Sequence, residues 1–298
     1  MSDTLLARDV MVKQLITARP ETDVFDAIHV LLKKRVTGAP VVEGQHSYLG
    51  VFSEKSSLAV VQSFLSRSAE RVLSLPTVTQ FMSQRILMLP PDEDAIHAIG
   101  HLLKHRVSGV PIVDSDRRFI GVFSEKTSME VLVQSAFDQV PTARVSGFAN
   151  EDRGRIVAKG DSLLDVVETF LETPYRRLVV IDQGRVIGQV SRRDALNAAV
   201  RWLDQSGSPL PTAGVVSDSM DVDAKTILPE LDLLGVAQIF LNTNYRRLPV
   251  VQSGELIGQL SRRDVLAAFH RALEPRREET QKFLYLSSVR KPDEVSIQ

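Results

Sequence analysis

Apolar residues recur along the chain in two patterns that alternate, one typical of helices and one typical of short strands. Together they predict a helix, two short strands and a second helix in each of four similar segments. In the second segment, apolar positions between Ile96 and Leu103 recur at the spacing of one buried helical face. Proline and acidic residues at 91–94 precede that face, as is typical of a helix start. In the third segment, Ser162 and Asp165 have the spacing of a capping box ahead of another apolar face. The periodicity therefore predicts helices that each bury one side.

The strands are short and lie close together. Residues 178–181 and 185–190 of the third segment are typical of two strands joined by a turn at Asp182-Gln183-Gly184. Apolar residues recur at helical spacing after Ser191 and predict a closing helix. The alternation of helices and strands indicates an α/β fold.

The four segments are internal repeats that come in two pairs. Arg35–Leu58 aligns without a gap to Arg106–Met129, with 12 of 24 positions identical. Tyr175–Leu196 aligns likewise to Tyr245–Leu266, with 14 of 22 positions identical. Gly50, Gly121, Gly188 and Gly258 hold the same frame in all four repeats. A repeat of this kind determines the architecture of the whole chain.

Composition narrows the class of protein further. The 36 Lys and Arg residues balance 37 Asp and Glu residues, so the chain lacks the overall positive charge of a nucleic-acid binder. It has no cysteine, which excludes disulfides, thiolate nucleophiles and zinc-thiolate sites. No apolar run approaches the roughly 20 residues that span a bilayer. We interpret the protein as cytoplasmic and expect neither nucleic acid nor membrane as a partner.

The order of helix, hydrophobic strand, turn, second strand and closing helix, with a sequence of the Gly-h-h-[Ser/Thr]-x-x-Asp type (h, apolar) at the end of the second strand, resembles the cystathionine-β-synthase (CBS) domain. The resemblance runs from about Leu5 to Leu273 and implies tandem CBS repeats, each a small sheet plus helices. In that family two repeats pack by pseudo-twofold symmetry into a Bateman module, and two modules form a disc. We expect module 1 at 1–140, with repeats at about 5–70 and 76–138, and module 2 at 141–273, with repeats at about 141–204 and 213–273. A charged tail at 274–298 follows, with one apolar island at 283–286.

The resemblance also implies a ligand site after the second strand. In the family the Ser or Thr contacts phosphate, and the Asp three residues later accepts ribose hydroxyls from an adenosine compound. The same spacing is that of a helix capping box, so spacing alone leaves both interpretations open. The intervening arginines favour a ligand, because cations at a helix N-terminus cost about 0.3–1 kcal/mol each unless an anion is present. The candidate ligand-binding residues are Ser191, Arg192, Arg193, Asp194, Ser261, Arg262, Arg263 and Asp264, with Arg176 and Arg246 adding charge at the mouth of the cleft.

The first two repeats depart from this pattern. Ser56 and Thr127 replace the ribose aspartate, and Glu54 and Glu125 stand where the second pair has arginine. We expect these glutamates to repel phosphate, so module 1 should be empty, weak or adapted to another ligand. Weaker candidates for phosphate contacts are Ser53, Lys55, Ser124 and Lys126.

A cluster of histidines is the remaining constellation. His97, His101 and His105 share one helical face, but no carboxylate is placed to complete a metal ligand set, so we predict no metal site.

These observations predict an allosteric ligand sensor and not an enzyme. An adenosine nucleotide (AMP, ADP or ATP) or S-adenosylmethionine is expected to bind mainly in module 2, as a regulatory ligand and not as a catalytic cofactor. The bound state would pass to a partner protein or to a second copy of the chain in a homodimer. The alternative is a ligand-independent scaffold or dimerisation protein built from CBS repeats.

Overall fold

A computed structural model describes residues 4–69, 74–138, 144–205 and 214–271. Within these ranges each of the four repeats contains a helix, an antiparallel hairpin and a second helix. The first repeat follows the short helix α1 (Ala7–Val10) and comprises α2 (Val24–Lys34), β1 (Gly38–Glu43), β2 (Ser47–Ser53) and α3 (Glu54–Ala69). The second comprises α4 (Ala95–Lys104), β3 (Gly109–Val113), β4 (Phe119–Ser124) and α5 (Glu125–Asp138).

The third repeat has one additional strand. It comprises β5 (Ile156–Ala158), α6 (Leu163–Glu172), β6 (Arg177–Asp182), β7 (Arg185–Ser191) and α7 (Arg192–Gln205). The fourth comprises α8 (Leu233–Asn242), β8 (Arg247–Gln252), β9 (Glu255–Ser261) and α9 (262–271). Single 3₁₀ turns precede the repeats at Val78–Gln80, Val145–Phe148, Arg153–Arg155 and Val216–Asp218. The predicted tail at 274–298 lies outside the described residues.

Helix starts follow the predicted capping chemistry. Asp94 Oδ1 accepts hydrogen bonds from the backbone N–H groups of Ile96 and His97, both at 2.9 Å, and α4 begins one residue after Asp94. Ser162 Oγ accepts from the backbone N–H of Asp165 at 3.3 Å, and the Asp165 carboxylate accepts from the backbone N–H of Ser162 at 2.8 Å. The helix start near residue 94 and the capping box at Ser162 are therefore confirmed.

The predicted hairpin of the third repeat is confirmed as well. β6 and β7 pair antiparallel up to Asp182 and Arg185. Gln183 and Gly184 between them have φ angles of 48° and 78°, as a type I′ turn requires.

The hairpins join different repeats edge to edge. β2 pairs with β9 at Ser47 and Glu255, which gives a four-stranded sheet in the order β1-β2-β9-β8. The second and third repeats meet in the same way, because the backbone N–H of Val186 donates to the carbonyl of Arg117 at 2.9 Å. Sheet contacts therefore pair the first repeat with the fourth and the second with the third.

The segment that precedes each repeat crosses onto the sheet partner. Asp221, ahead of the fourth repeat, exchanges backbone hydrogen bonds of 2.8 and 3.0 Å with Val51 of the first. A Cβ atom at Gly50 would lie 2.6 Å from the Asp221 carbonyl oxygen, so this close approach requires glycine. Equivalent exchanges join Val12 with Gln259, Ser83 with Gln189, and Asn150 with Val122.

The expected modules at 1–140 and 141–273 joined neighbours in the sequence, whereas these sheet contacts join repeats from different halves of the chain. The division of the chain into those two modules stays a prediction. Sequence identity is highest between neighbours, yet the crossing segments place each repeat beside a repeat from the other half of the chain. High identity between repeats reports a shared residue pattern, whereas contact depends on where the linking segments run.

The helices make the second set of contacts between repeats. One buried cluster packs Leu58 of α3 against Phe170 of α6 and Leu196 of α7, and so joins the first repeat to the third. Another packs Met129 of α5 against Phe240 of α8 and so joins the second repeat to the fourth. Each repeat thus has one sheet neighbour and one helix neighbour, and the four close a ring. No helix in the described ranges is both long enough and apolar enough to cross a bilayer.

Candidate ligand-binding site

Ser191 and Asp194 form a helix cap in this structure. The Asp194 Oδ2 atom accepts from the backbone N–H of Ser191 at 2.8 Å and from its hydroxyl at 2.6 Å, and Ser191 Oγ accepts from the backbone N–H of Asp194 at 3.2 Å. Ser261 and Asp264 repeat this arrangement, with the first two contacts at 2.8 and 2.6 Å. Of the two interpretations that the spacing left open, the geometry matches the capping box. These contacts do not test the expectation that the two aspartates accept ribose hydroxyls.

Arg192 and Arg262 are buried, and each binds the C-terminal end of a neighbouring helix. Arg192 Nη2 donates to the carbonyls of Phe170 and Thr173, at 3.0 and 3.1 Å, at the C-terminus of α6. Arg262 does the same at the end of α8, with distances of 3.1 and 2.9 Å. Burial lowers the pKa of both side chains to about 10. Carbonyls at a helix C-terminus lack partners within the helix and favour a cation, so these arginines contribute to the fold without any ligand.

The remaining arginines pair with the glutamates of the first two repeats. Glu54 lies between Arg176 Nη2 and Arg193 Nη2, with the second contact at 3.2 Å. Glu125 lies between Arg246 Nη2 and Arg263 Nη2, with the second contact at 3.1 Å. Both glutamate side chains are only 4% exposed. The residues expected to repel phosphate are thus the counterions of the residues expected to bind it.

The charge balance at Glu125 favours the ionised carboxylate. Burial alone would raise the pKa of Glu125, but the charge and hydrogen bond of Arg246, followed by the charges of Arg263 and Arg176, lower it below its ordinary value. A buried carboxylate held by two guanidinium groups is therefore a fixed part of the inter-repeat contact.

Arg176 lies close enough to Arg246 for the two charges to repel each other. Burial, followed by the nearby charge of Arg246 and partly offset by Glu54, lowers the pKa of Arg176 to about 9. Burial and the charge of Arg246 also lower the pKa values of Arg177 and Arg247. Positive charges in such proximity favour an anion between them.

Two cavities share Arg176 and Arg246 in their linings. The second-repeat cavity, of about 640 Å³, lies between the second and third repeats and reaches the fourth. Its lining includes Ser108, Ser124, Glu125, Lys126, Thr127, Glu130, Phe148, Asn150, Arg155, Tyr175, Arg176, Arg177, Asn244, Arg246 and Arg262. The first-repeat cavity, of about 600 Å³, lies between the first and fourth repeats and reaches the third. Its lining includes Thr37, Ser53, Lys55, Glu172, Pro174, Arg176, Arg192, Asp221, Asn244, Tyr245, Arg246 and Arg247.

The cavities bring together only part of the predicted set. Both contain Arg176 and Arg246. The four weaker candidates also line them, Ser53 and Lys55 in one and Ser124 and Lys126 in the other. Among the described residues, the linings of these two cavities do not include Ser191, Asp194, Ser261, Asp264, Arg193 or Arg263.

Several residues that line the cavities were not predicted from the sequence. Arg177 and Arg247 are the second arginines of the Tyr-Arg-Arg motifs, so their recurrence was a usable signal. Arg155 lies 4.0 Å above the ring of Tyr175, a contact between distant positions that no local pattern indicates. Glu130 lies one helical turn beyond the motif and follows no repeat.

The histidine face shows ring stacking. His101 and His105 stack with their centroids 6.2 Å apart. Within the part of the chain that the structure describes, no three His, Asp or Glu side chains gather as a metal-ligand set.

Comparison with known proteins defines the class of protein. The CBS domain family matches residues 7–56, 78–127, 155–201 and 216–271, more than half of the chain. This protein therefore belongs to the CBS-domain family and carries four copies of the domain.

Its relatives include a subunit of a protein kinase and a larger enzyme. The uncharacterized protein MJ1225 of Methanocaldococcus jannaschii is 23% identical over 273 residues, 86% of this chain and 96% of that one. Its crystal structure aligns over 89% of this chain and all of the other, with a TM-score of 0.40 and 19% identity. The 5'-AMP-activated protein kinase subunit gamma of Dictyostelium discoideum is 24% identical over 198 residues, 61% of this chain and 34% of that subunit. An inosine-5'-monophosphate dehydrogenase of Halobacterium salinarum is 25% identical over 247 residues, 73% of this chain and less than half (47%) of the enzyme.

Proposed function

We propose that this chain is a regulatory sensor that binds an adenosine-containing ligand in the clefts between its repeats. The observation that carries the proposal is the pair of cavities that share Arg176 and Arg246. Family membership and similarity to a subunit of an AMP-activated kinase support an adenosine ligand.

The chemistry of the cavities suits a phosphorylated ligand. The second-repeat cavity combines Lys126, Arg155 and Arg177 with the shared arginines, against the carboxylates of Glu125 and Glu130. The helices α3 and α5 begin next to Ser53 and Ser124, so serine hydroxyls and helix N-termini face the cavities together with the cations. Guanidinium forks and helix N-termini are both complementary to phosphate oxygens.

The same arginines offer a route for regulation. Arg176 binds Glu54 of the first repeat, and Arg246 binds Glu125 of the second. A phosphate that draws either arginine toward a cavity would weaken an ion pair between two repeats. Ligand binding would thereby change the packing of the ring and the surface offered to a partner protein.

A scaffold is the second candidate, and the ion pairs favour it. Four guanidinium groups and two buried carboxylates cross-link the repeats without any ligand. Such a protein would hold a partner or a second copy with no regard to nucleotide.

Thermal unfolding with AMP, ADP, ATP, S-adenosylmethionine and a cyclic dinucleotide separates the two. A ligand that binds only the folded chain raises Tm with the logarithm of its concentration. We expect at least one compound to do so, and Lys126→Ala to weaken its binding by about fivefold, as loss of a solvent-open ion pair predicts. Lys159→Ala is the matched control, because Lys159 is exposed and pairs with Asp182 away from both cavities. No shift with any compound would favour the scaffold.

A further inference from the structure

Glu130 is a carboxylate in the second-repeat cavity that the fold itself does not use. It lies on α5, is half-buried and lines the cavity beside Lys126 and Thr127. From the described residues it receives no hydrogen bond and no close ion pair, in contrast to Glu125, which two arginines hold. Burial raises the pKa of Glu130, partly offset by the charge of Lys126. A carboxylate that no protein donor engages is available to a ligand that donates hydrogen bonds.

The position normally given to the ribose aspartate is occupied differently in this repeat. Thr127 stands there, and its hydroxyl accepts from the backbone N–H of Ser124 at 2.7 Å and donates to the Ser124 carbonyl at 3.0 Å. The threonine hydroxyl is thus already engaged in the helix cap.

Helix geometry brings Glu130 over the same turn. Side chains on an α-helix tilt toward its N-terminus, so a residue one turn further along covers the surface of the preceding turn. Glutamate is also one methylene longer than aspartate. Its carboxylate can therefore reach the place that an aspartate at position 127 would serve.

This carboxylate is particular to the second repeat. Ala59, Asn197 and Ala267 occupy the corresponding positions of the other three. The first-repeat cavity has the same serine and lysine, Ser53 and Lys55, but alanine at this turn. At this turn of the helix, therefore, only the second-repeat cavity carries a carboxylate, whereas the carboxylates of the first-repeat cavity, Glu172 and Asp221, come from other elements.

We propose that Glu130 accepts the ribose hydroxyls of a ribonucleotide bound in the second-repeat cavity. The proposal rests on the adenosine-binding function above and adds which cavity recognises the ribose. A carboxylate accepts two charge-assisted hydrogen bonds from a vicinal diol, while Lys126 and Arg246 remain for the phosphate. The cavity would then prefer ribonucleotides over deoxyribonucleotides.

The test is calorimetric titration of the full chain with AMP and with 2'-deoxy-AMP. Glu130→Gln should weaken AMP by about tenfold or more, since hydrogen bonds to a charged group contribute about 1.5–3 kcal/mol. Its effect on 2'-deoxy-AMP should be much smaller. Glu43→Gln, at an exposed glutamate, is the matched control, and unchanged Tm without ligand confirms that the variants are folded.

The possible results are distinguishable. If the wild-type chain binds AMP and Glu130→Gln binds it equally well, or loses both nucleotides to the same degree, the assignment of Glu130 is wrong while the proposed function stands. If the wild-type chain binds no adenosine compound, the proposed function fails and takes the assignment with it.

Discussion

The helix starts of the first and second pairs of repeats resemble each other in sequence but have opposite charges at the first helical residue, glutamate in one pair and arginine in the other. The first pair has Ser-Glu-Lys at 53–55 and 124–126, whereas the second has Ser-Arg-Arg at 191–193 and 261–263. Between repeats that are helix neighbours, Glu54 contacts Arg176 and Arg193, and Glu125 contacts Arg246 and Arg263. The difference that suggested one binding half and one inert half is therefore, in part, a complementarity between halves. The two cavities lie beside α3 and α5, the closing helices of the first pair.

Reversing one charge should break this complementarity most severely. Glu125→Arg would bury a third guanidinium beside Arg246 and Arg263, and loss of a buried partner alone costs about 3–5 kcal/mol. We expect a fall in the free energy of unfolding of at least that size in urea denaturation. Glu43→Arg, at an exposed site, should change it little.

A compensating variant sharpens the result. Adding Arg246→Glu and Arg263→Glu to Glu125→Arg restores opposite charges and should recover part of the loss. If the single reversal costs less than about 1 kcal/mol, the value of a solvated pair, Glu125 does not hold the repeats together.

Removing a second-pair arginine should also destabilise the fold. Arg192→Ala leaves the carbonyls of Phe170 and Thr173 without a charged donor, at a cost of about 1.5–3 kcal/mol in urea denaturation. Relief of the helix dipole alone predicts the opposite sign, a variant as stable as the wild type or slightly more so. Arg201→Ala, exposed on the same helix α7, is the control.

Acid should weaken the contact between the second and fourth repeats. The pKa of Glu125 in the fold lies below its ordinary value of 4.5, so the stabilisation is present above that value and is lost as pH falls through the folded pKa. The stability advantage of the wild type over Glu125→Gln should therefore shrink below about pH 4.5. An advantage that stays constant from neutral pH into that acid range would show that the carboxylate charge does not contribute.

The smallest effect is expected at Asp194. As a capping residue, its replacement in Asp194→Ala should cost about 1 kcal/mol of unfolding free energy and leave AMP binding unchanged. If Asp194 instead serves the ribose, calorimetry will show weaker AMP binding in the variant. Asp165→Ala, in the capping box of α6, is the control for capping alone.

The sequence predicted the elements of the fold better than their assembly. Three features depend only on residues that are neighbours in the chain, and each could be predicted from the sequence. They are the helix start after Asp94, the capping box at Ser162 and the turn at Gly184. The pairing of repeats depends on where the linking segments run, and the segment at Asp221, for example, crosses to Val51. No local sequence pattern indicates that path.

The candidate site shows the same division. The Ser-x-x-Asp spacing was visible, but whether an aspartate caps a helix or faces a cavity depends on its surroundings. The arginines were rightly singled out as unusual at a helix start, yet their partners, Glu54 and the carbonyl of Phe170, are far away in the sequence. Glu130 breaks the repeat and so left no recurring signal.

The most direct test of the account is a crystal structure of the full chain with AMP. The account predicts AMP in the second-repeat cavity, with its phosphate near Arg246 and Lys126 and its ribose hydroxyls on Glu130. AMP bound instead against Asp194 or Asp264, with that cavity empty, would contradict it.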